Sequence, residues 1–186
     1  MNQPNVYPHQ EILEAAIQVI RIKGHEQLTA RAIAGELGSS TMPIYSRMKS
    51  LRALEDQLQI HVRGLLLAEQ SKQATGDPLL DAAFGYVRFA RDEQNLFRFL
   101  FGCGALPPAN DYRTRFLADF SPDSAAGQEL LHMPEAVQDS IILNAWIYAH
   151  GLAMLLNSSS LAMDDTEILR RLQSAGQAFY TQEVSP

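Results

Sequence analysis

Cysteine is all but absent from this chain: Cys103 is the only one in 186 residues. No internal disulfide can form and no cysteine-rich metal site can be built, so packing must hold the fold, as suits a reducing compartment. Long apolar runs are missing as well. Ile141 to Ile147 is broken by Asn144, and His150 and Gly151 separate it from Leu152 to Leu156, so neither stretch reaches the roughly 20 residues of a membrane span. The opening Met1-Asn2-Gln3-Pro4 has no basic segment followed by an apolar one, and no secretory signal is expected. No strand-like alternation persists and no internal repeat is visible. A cytoplasmic protein without a membrane segment is expected, and its 46% hydrophobic residues are enough to bury a core.

Positive charge is scarce too, with a formal net of -6. It is unevenly placed. From Arg21 to Arg52 six basic residues stand against two acidic ones, a local net of +4 that leaves -10 for the remainder. A basic surface on an acidic body suits a module that touches a polyanion; an ordinary solvated surface is the alternative.

Helical periodicity runs through the chain. Ile12, Leu13, Ala16, Ile17 and Ile20 form a wide apolar stripe between Pro8, which can open a helix, and Gly24, which can close it. A second helix is expected from Thr29, as cap, to Leu37, with Ile33, Ala34 and Leu37 inward and Gly38 as the stop. Ser40 is a plausible cap for a short third helix with Pro43 in its first turn. Two short helices joined by a Gly-containing turn read as a helix-turn-helix. A long fourth helix is expected over Ser50 to Lys72, with Leu51, Leu54, Leu58, Val62 and Leu65 buried. Beyond Thr75-Gly76-Asp77-Pro78 the pattern predicts helices at Leu79 to Arg91, Glu93 to Phe101, part of Asp111 to Phe120, Pro134 to Asn157 and Asp164 to Thr181. Cys103 to Asn110 and Ser121 to Gly127 read as loops.

A helix-turn-helix lays its second helix in the major groove of double-stranded DNA, with the residues of its first turn nearest the base edges. Here those are Ser40, Thr41, Met42 and Pro43. Thr41 can hydrogen-bond a base edge or a phosphate, and Met42 and Pro43 offer apolar contact to a thymine methyl. Tyr45, Ser46, Arg47 and Lys49, with Thr29 ahead of the preceding helix, can hold phosphates. The alternative is that Ser40 merely caps and Tyr45 merely packs.

The stretch Ile12 to Leu58 resembles the DNA-binding domain of TetR-family transcriptional regulators. The likeness lies in Ile12-Leu13-x-Ala15-Ala16, Gly24, Thr29, Ile33-Ala34, Gly38 and Ile44-Tyr45. It implies an all-α homodimer that binds a palindromic operator, usually represses, and is released by a small-molecule effector bound in its C-terminal half. The organisation expected is a three-helix helix-turn-helix DNA-binding domain over 1–52 and a larger helical ligand-binding and dimerisation domain over 53–186. Two positions depart from the family pattern: Met48 stands where an aromatic is common, and Leu51 where a Lys usually meets a phosphate. Lys49 or Arg52 would have to replace that contact. Trp146 to Leu155 also resembles the Trp-x-x-x-His-Gly pattern of one branch of the family.

Trp146 and His150 are spaced to lie one turn apart on one helix face. With Phe84, Arg88, Phe97 and Phe101 they are the candidate ligand-binding residues, the alternative being that the aromatics simply form core. Two amphipathic stripes, Ile142, Ala149 and Ala153 on one helix and Ile168, Leu172, Ala175 and Phe179 on the next, are the candidate dimer interface, a four-helix bundle about a two-fold axis. No catalysis, cofactor or metal is expected. Nothing in the sequence identifies a group that would orient Cys103 and His150 as nucleophile and base, and His9, His25, His61, His132 and His150 lack metal-ligand spacing. A helical interaction module, or a regulator without a ligand response, is the alternative function.

Overall fold

The computed structural model of the protein describes residues 8–47, 50–102 and 125–184. Among them the structure is all helical, without a strand: α1 (His9–Lys23), a 3₁₀ turn (His25–Gln27), α2 (Ala30–Glu36), α3 (Met42–Arg47), α4 (Leu51–Gln70), α5 (Pro78–Asp92), α6 (Gln94–Phe101), α7 (Ala125–His132), α8 (Glu135–Asn157) and α9 (Asp165–Val184). The helix expected within Asp111 to Phe120 and the loop from Cys103 lie outside the described residues. The loop expected to reach Gly127 gives way to α7 from Ala125.

The chain divides into two compact units. Unit 1 comprises residues up to Leu65 together with Glu93–Ala105, and unit 2 comprises Leu66–Asp92 together with the chain from Leu106 onward. This division differs from a boundary at 52/53 because α4 belongs to unit 1 for most of its length and α6 returns to it. In unit 1, α1 buries Ile12, Ala16, Ile17 and Ile20 against α2 and α6. Two polar ties reinforce that packing: the Arg21 guanidinium donates to both Glu93 carboxylate oxygens, at 3.2 and 2.9 Å, and the Asn95 amide donates to the Arg21 carbonyl at 3.0 Å. Arg21 is therefore committed inside the unit. On α4 the buried stripe is Leu54, Leu58, Val62 and Leu66. Leu51 was expected in it but is 46% exposed, since the core begins one turn further in, and Leu65 is only half-buried beside Leu66.

In unit 2, α8 packs against α5 and α9, α9 also meets α5, and α7 lies on α5. The buried Asn157 amide donates to the Ala90 carbonyl at 2.9 Å, and that of Gln138 to the Met133 carbonyl at 2.8 Å. The Asp77 carboxylate caps α5, accepting from the N–H groups of Leu79 and Leu80 at 2.9 and 3.2 Å. Gly85 is where α5 passes the end of α4: a Cβ there would lie 2.3 Å from the Glu69 carbonyl oxygen. By length and composition alone α8 is apolar enough to cross a bilayer, despite the interruptions at Asn144, His150 and Gly151. It is instead the helix on which α5 and α9 pack.

Candidate functional site

Thr29 caps α2 as its sequence position implies: its backbone is extended, and its hydroxyl accepts from the Ala32 N–H at 3.1 Å. Ile33 and Ala34 face inward. The turn that follows is closed by hydrogen bonds from Leu37 N–H to the Ile33 carbonyl (3.0 Å) and from Ser39 N–H to the Ala34 carbonyl (2.9 Å). Gly38 adopts φ +61°, a left-handed conformation that glycine enters without steric cost. The chain thereby reverses in a few residues and starts α3 at Met42.

The Thr41 carbonyl accepts from the Tyr45 N–H at 3.2 Å, so Thr41 rather than Ser40 occupies the cap position. Pro43 falls in the first turn, where its missing N–H breaks no helical bond. Ile44 is buried and anchors α3, leaving Met42 at 74% and Tyr45 at 71% exposure. Leaving a large thioether and a phenol ring in water gains nothing for folding. Ser40 and Ser46 are exposed as well, and Thr41 and Pro43 are half-buried. The Ser46 hydroxyl donates to the Pro43 carbonyl at 2.9 Å. Arg47 is the last residue of α3, and Met48 and Lys49 lie outside the described residues. Among basic residues of this stretch, Lys23, Arg31 and Arg52 are exposed.

The residues singled out for ligand binding fall in both units. The Phe97 and Phe101 rings meet tilted, at 4.6 Å and 43°, on α6, which belongs to unit 1. Phe84, Arg88, Trp146 and His150 belong to unit 2. There the Trp146 and His150 rings stack at 5.3 Å and 13°, and Nδ1 of His150 is 2.8 Å from the hydroxyl of buried Tyr86. Burial lowers the His150 pKa and raises that of Tyr86, so both are neutral at physiological pH. Arg88 lies over the Phe84 ring at 5.4 Å, with Asp165 and Asp92 at 3.8 and 4.0 Å. Those carboxylates balance the charge of Arg88 without a hydrogen bond to its buried Nε.

Unit 2 holds a cavity of about 430 Å³ elsewhere, between the start of α5, α7, α8 and α9. Leu80, Leu130, Ile141 and Leu172 give it an apolar wall, and Tyr148, Phe179 and Tyr180 contribute rings. Sequence periodicity could mark these as helical apolar positions but could not show that they leave a space between them.

Most of the candidate dimer stripe is already covered within one chain. Ile142, Ala149, Ala153, Ile168 and Leu172 are all buried within a single chain, because α8 and α9 have already packed these positions against each other and against α5. Ala175 and Phe179 are half-buried and line the cavity. The apolar surface that α8 leaves in solvent is instead Ile147, Met154 and Leu155, with Gly151 between them.

The whole chain superposes on a solved structure of similar architecture, the crystal structure of a TetR-like transcriptional regulator from Rhodococcus sp. RHA1, with a TM-score of 0.63 and 16% identity over 100% of both chains. The fold is thus similar to that of a TetR-like regulator. No family model and no curated protein matches the sequence.

Proposed function

We propose that this chain is a ligand-responsive transcriptional regulator of the TetR type, a cytoplasmic repressor that binds a palindromic DNA operator as a homodimer and leaves it when a small, largely apolar molecule binds unit 2. The observation that carries the reading is α3: a short helix pinned by Ile44 after a glycine turn, with Met42 and Tyr45 held out in solvent amid a net charge of +4. In this reading Thr41, Met42 and Pro43 meet base edges, with Ser40 beside them. Thr29, Tyr45, Ser46, Arg47 and Lys49 hold phosphates and set the register.

The 430 Å³ cavity is the preferred effector site, since its volume falls in the range of small-molecule pockets. The Trp146–His150 pair is less suited, because the polar ring already meets the Tyr86 hydroxyl. A second copy of the chain covers Ile147, Gly151, Met154 and Leu155, which recur at helical spacing along one face of α8. An effector acts only by binding the DNA-competent and released states with different affinity.

The test is a fluorescence-anisotropy titration of DNA from the region upstream of the protein's own gene. Thr41→Ala and Tyr45→Ala are each expected to weaken binding by about 1 to 3 kcal/mol with unchanged circular dichroism. Affinity unchanged in both variants would remove α3 from the interface. One observation favours a helical interaction module instead: exposed Leu51 opens α4 where the family places a phosphate-binding Lys. That alternative predicts no saturable DNA binding by the wild type at all.

A further inference from the structure

We infer that the effector of the unit 2 cavity carries a positive charge on an apolar body, as a protonated amine or quaternary ammonium compound does. The inference rests on the proposal that this cavity is the effector site. Its charged lining is of one sign. Asp77, before α5, and Glu129, on α7, border the space, and no Lys or Arg among the described residues does.

Both carboxylates are held in place. Oδ1 of Asp77 accepts the two N–H groups that begin α5. Oε1 of Glu129 accepts the Tyr180 hydroxyl, so the phenol proton is turned toward the carboxylate, and this bond and the burial beside it raise the Tyr180 pKa. Each carboxylate keeps its second oxygen for a further donor. The arginines of α5 and α9 are turned to other carboxylates: Arg88 and Arg91 lie against Asp92 and Asp165, and Arg170 and Arg171 share Glu167. Within the sequence of unit 2, 14 acidic residues stand against seven basic ones. An anionic ligand would meet this field unpaired, whereas a cation is drawn to it.

The rest of the wall suits the body of such a molecule. Tyr148 and Phe179 meet edge to face at 6.3 Å and 70°, and Tyr180 adds a third ring, so an ammonium group can lie over an aromatic face while the apolar part meets Leu80, Leu130 and Ile141.

The experiment is isothermal titration calorimetry of the full chain with three probes that share one phenylbutyl body: 4-phenylbutylammonium, 4-phenylbutanol and 4-phenylbutyrate. The ammonium is expected to bind about tenfold tighter than the alcohol, with the carboxylate weakest. Glu129→Gln combined with Asp77→Asn, which keeps a capping side chain, should bring the ammonium down to the alcohol, and Ala145→Phe should fill the space and abolish binding of all three. Equal affinities, or tightest binding of the carboxylate, all lost in Ala145→Phe, would overturn the cationic class and leave the cavity as the effector site. Failure of the wild type to bind any of the three would overturn both.

Discussion

Gly85 shows how one side chain, by being absent, lets two helices meet. Its α-carbon lies where a Cβ would stand 2.3 Å from the Glu69 carbonyl oxygen and 2.7 Å from the Gln70 Cα, and backbone cannot step aside as a flexible side chain can. Gly85→Ala is expected to destabilise the protein by roughly 1 to 3 kcal/mol through overpacking, although alanine is otherwise the better helix former. A thermal melt of the two proteins checks this, and an unchanged or raised midpoint would contradict it. His150 makes a second prediction at this scale. Burial depresses its folded pKa below the unfolded value of about 6.5, so the unfolded chain takes up a proton that the folded one resists. The stability this leaves is complete above about pH 6.5 and declines as the pH falls below it. Urea titrations at pH 7.5 and 5.5 should show a smaller loss in His150→Gln than in wild type; an equal loss would place the acid sensitivity elsewhere.

At the scale of elements, most helices were legible, but which face of α8 meets its own chain was not. The stripe of α1 between Pro8 and Gly24, the Thr29 cap and the Gly38 stop fall where the sequence puts them, because each is fixed by local chemistry. In α8, Ile142 and Leu152 are buried and Ile147 and Leu155 exposed, although the residue types are the same. Periodicity has no polar face there by which to choose the side that meets its own chain. The same ambiguity hid the cavity, which is a gap between helices rather than a property of any of them. Leu155→Glu or Met154→Glu, on the exposed stripe, is expected to convert a dimer to monomers by size-exclusion light scattering and to lower operator affinity with it. The same substitution at buried Leu172 should unfold unit 2 instead. A dimer that persists in both exposed-face variants would move the interface off α8.

Across the whole molecule, the chain keeps its modest positive charge in one half. Unit 1 has eight basic residues against seven acidic ones, whereas unit 2 has twice as many acidic as basic. Such a partition makes unit 1 better suited to a polyanion than unit 2. It also makes any DNA complex dependent on salt, since phosphate contacts release counterions. The return of α6 to α1, through Glu93 and Asn95, is a tertiary event with no mark in local sequence. The central claim is that α3 reads DNA from two copies at once. Hydroxyl-radical footprinting of the wild-type protein on the DNA upstream of its own gene tests it most directly. The claim predicts two protected half-sites of inverted sequence with centres about 34 to 36 Å apart, or a multiple of that, on one face of the duplex, and their loss in Tyr45→Ala. A footprint that is absent, single and asymmetric, or unchanged by that substitution would contradict it.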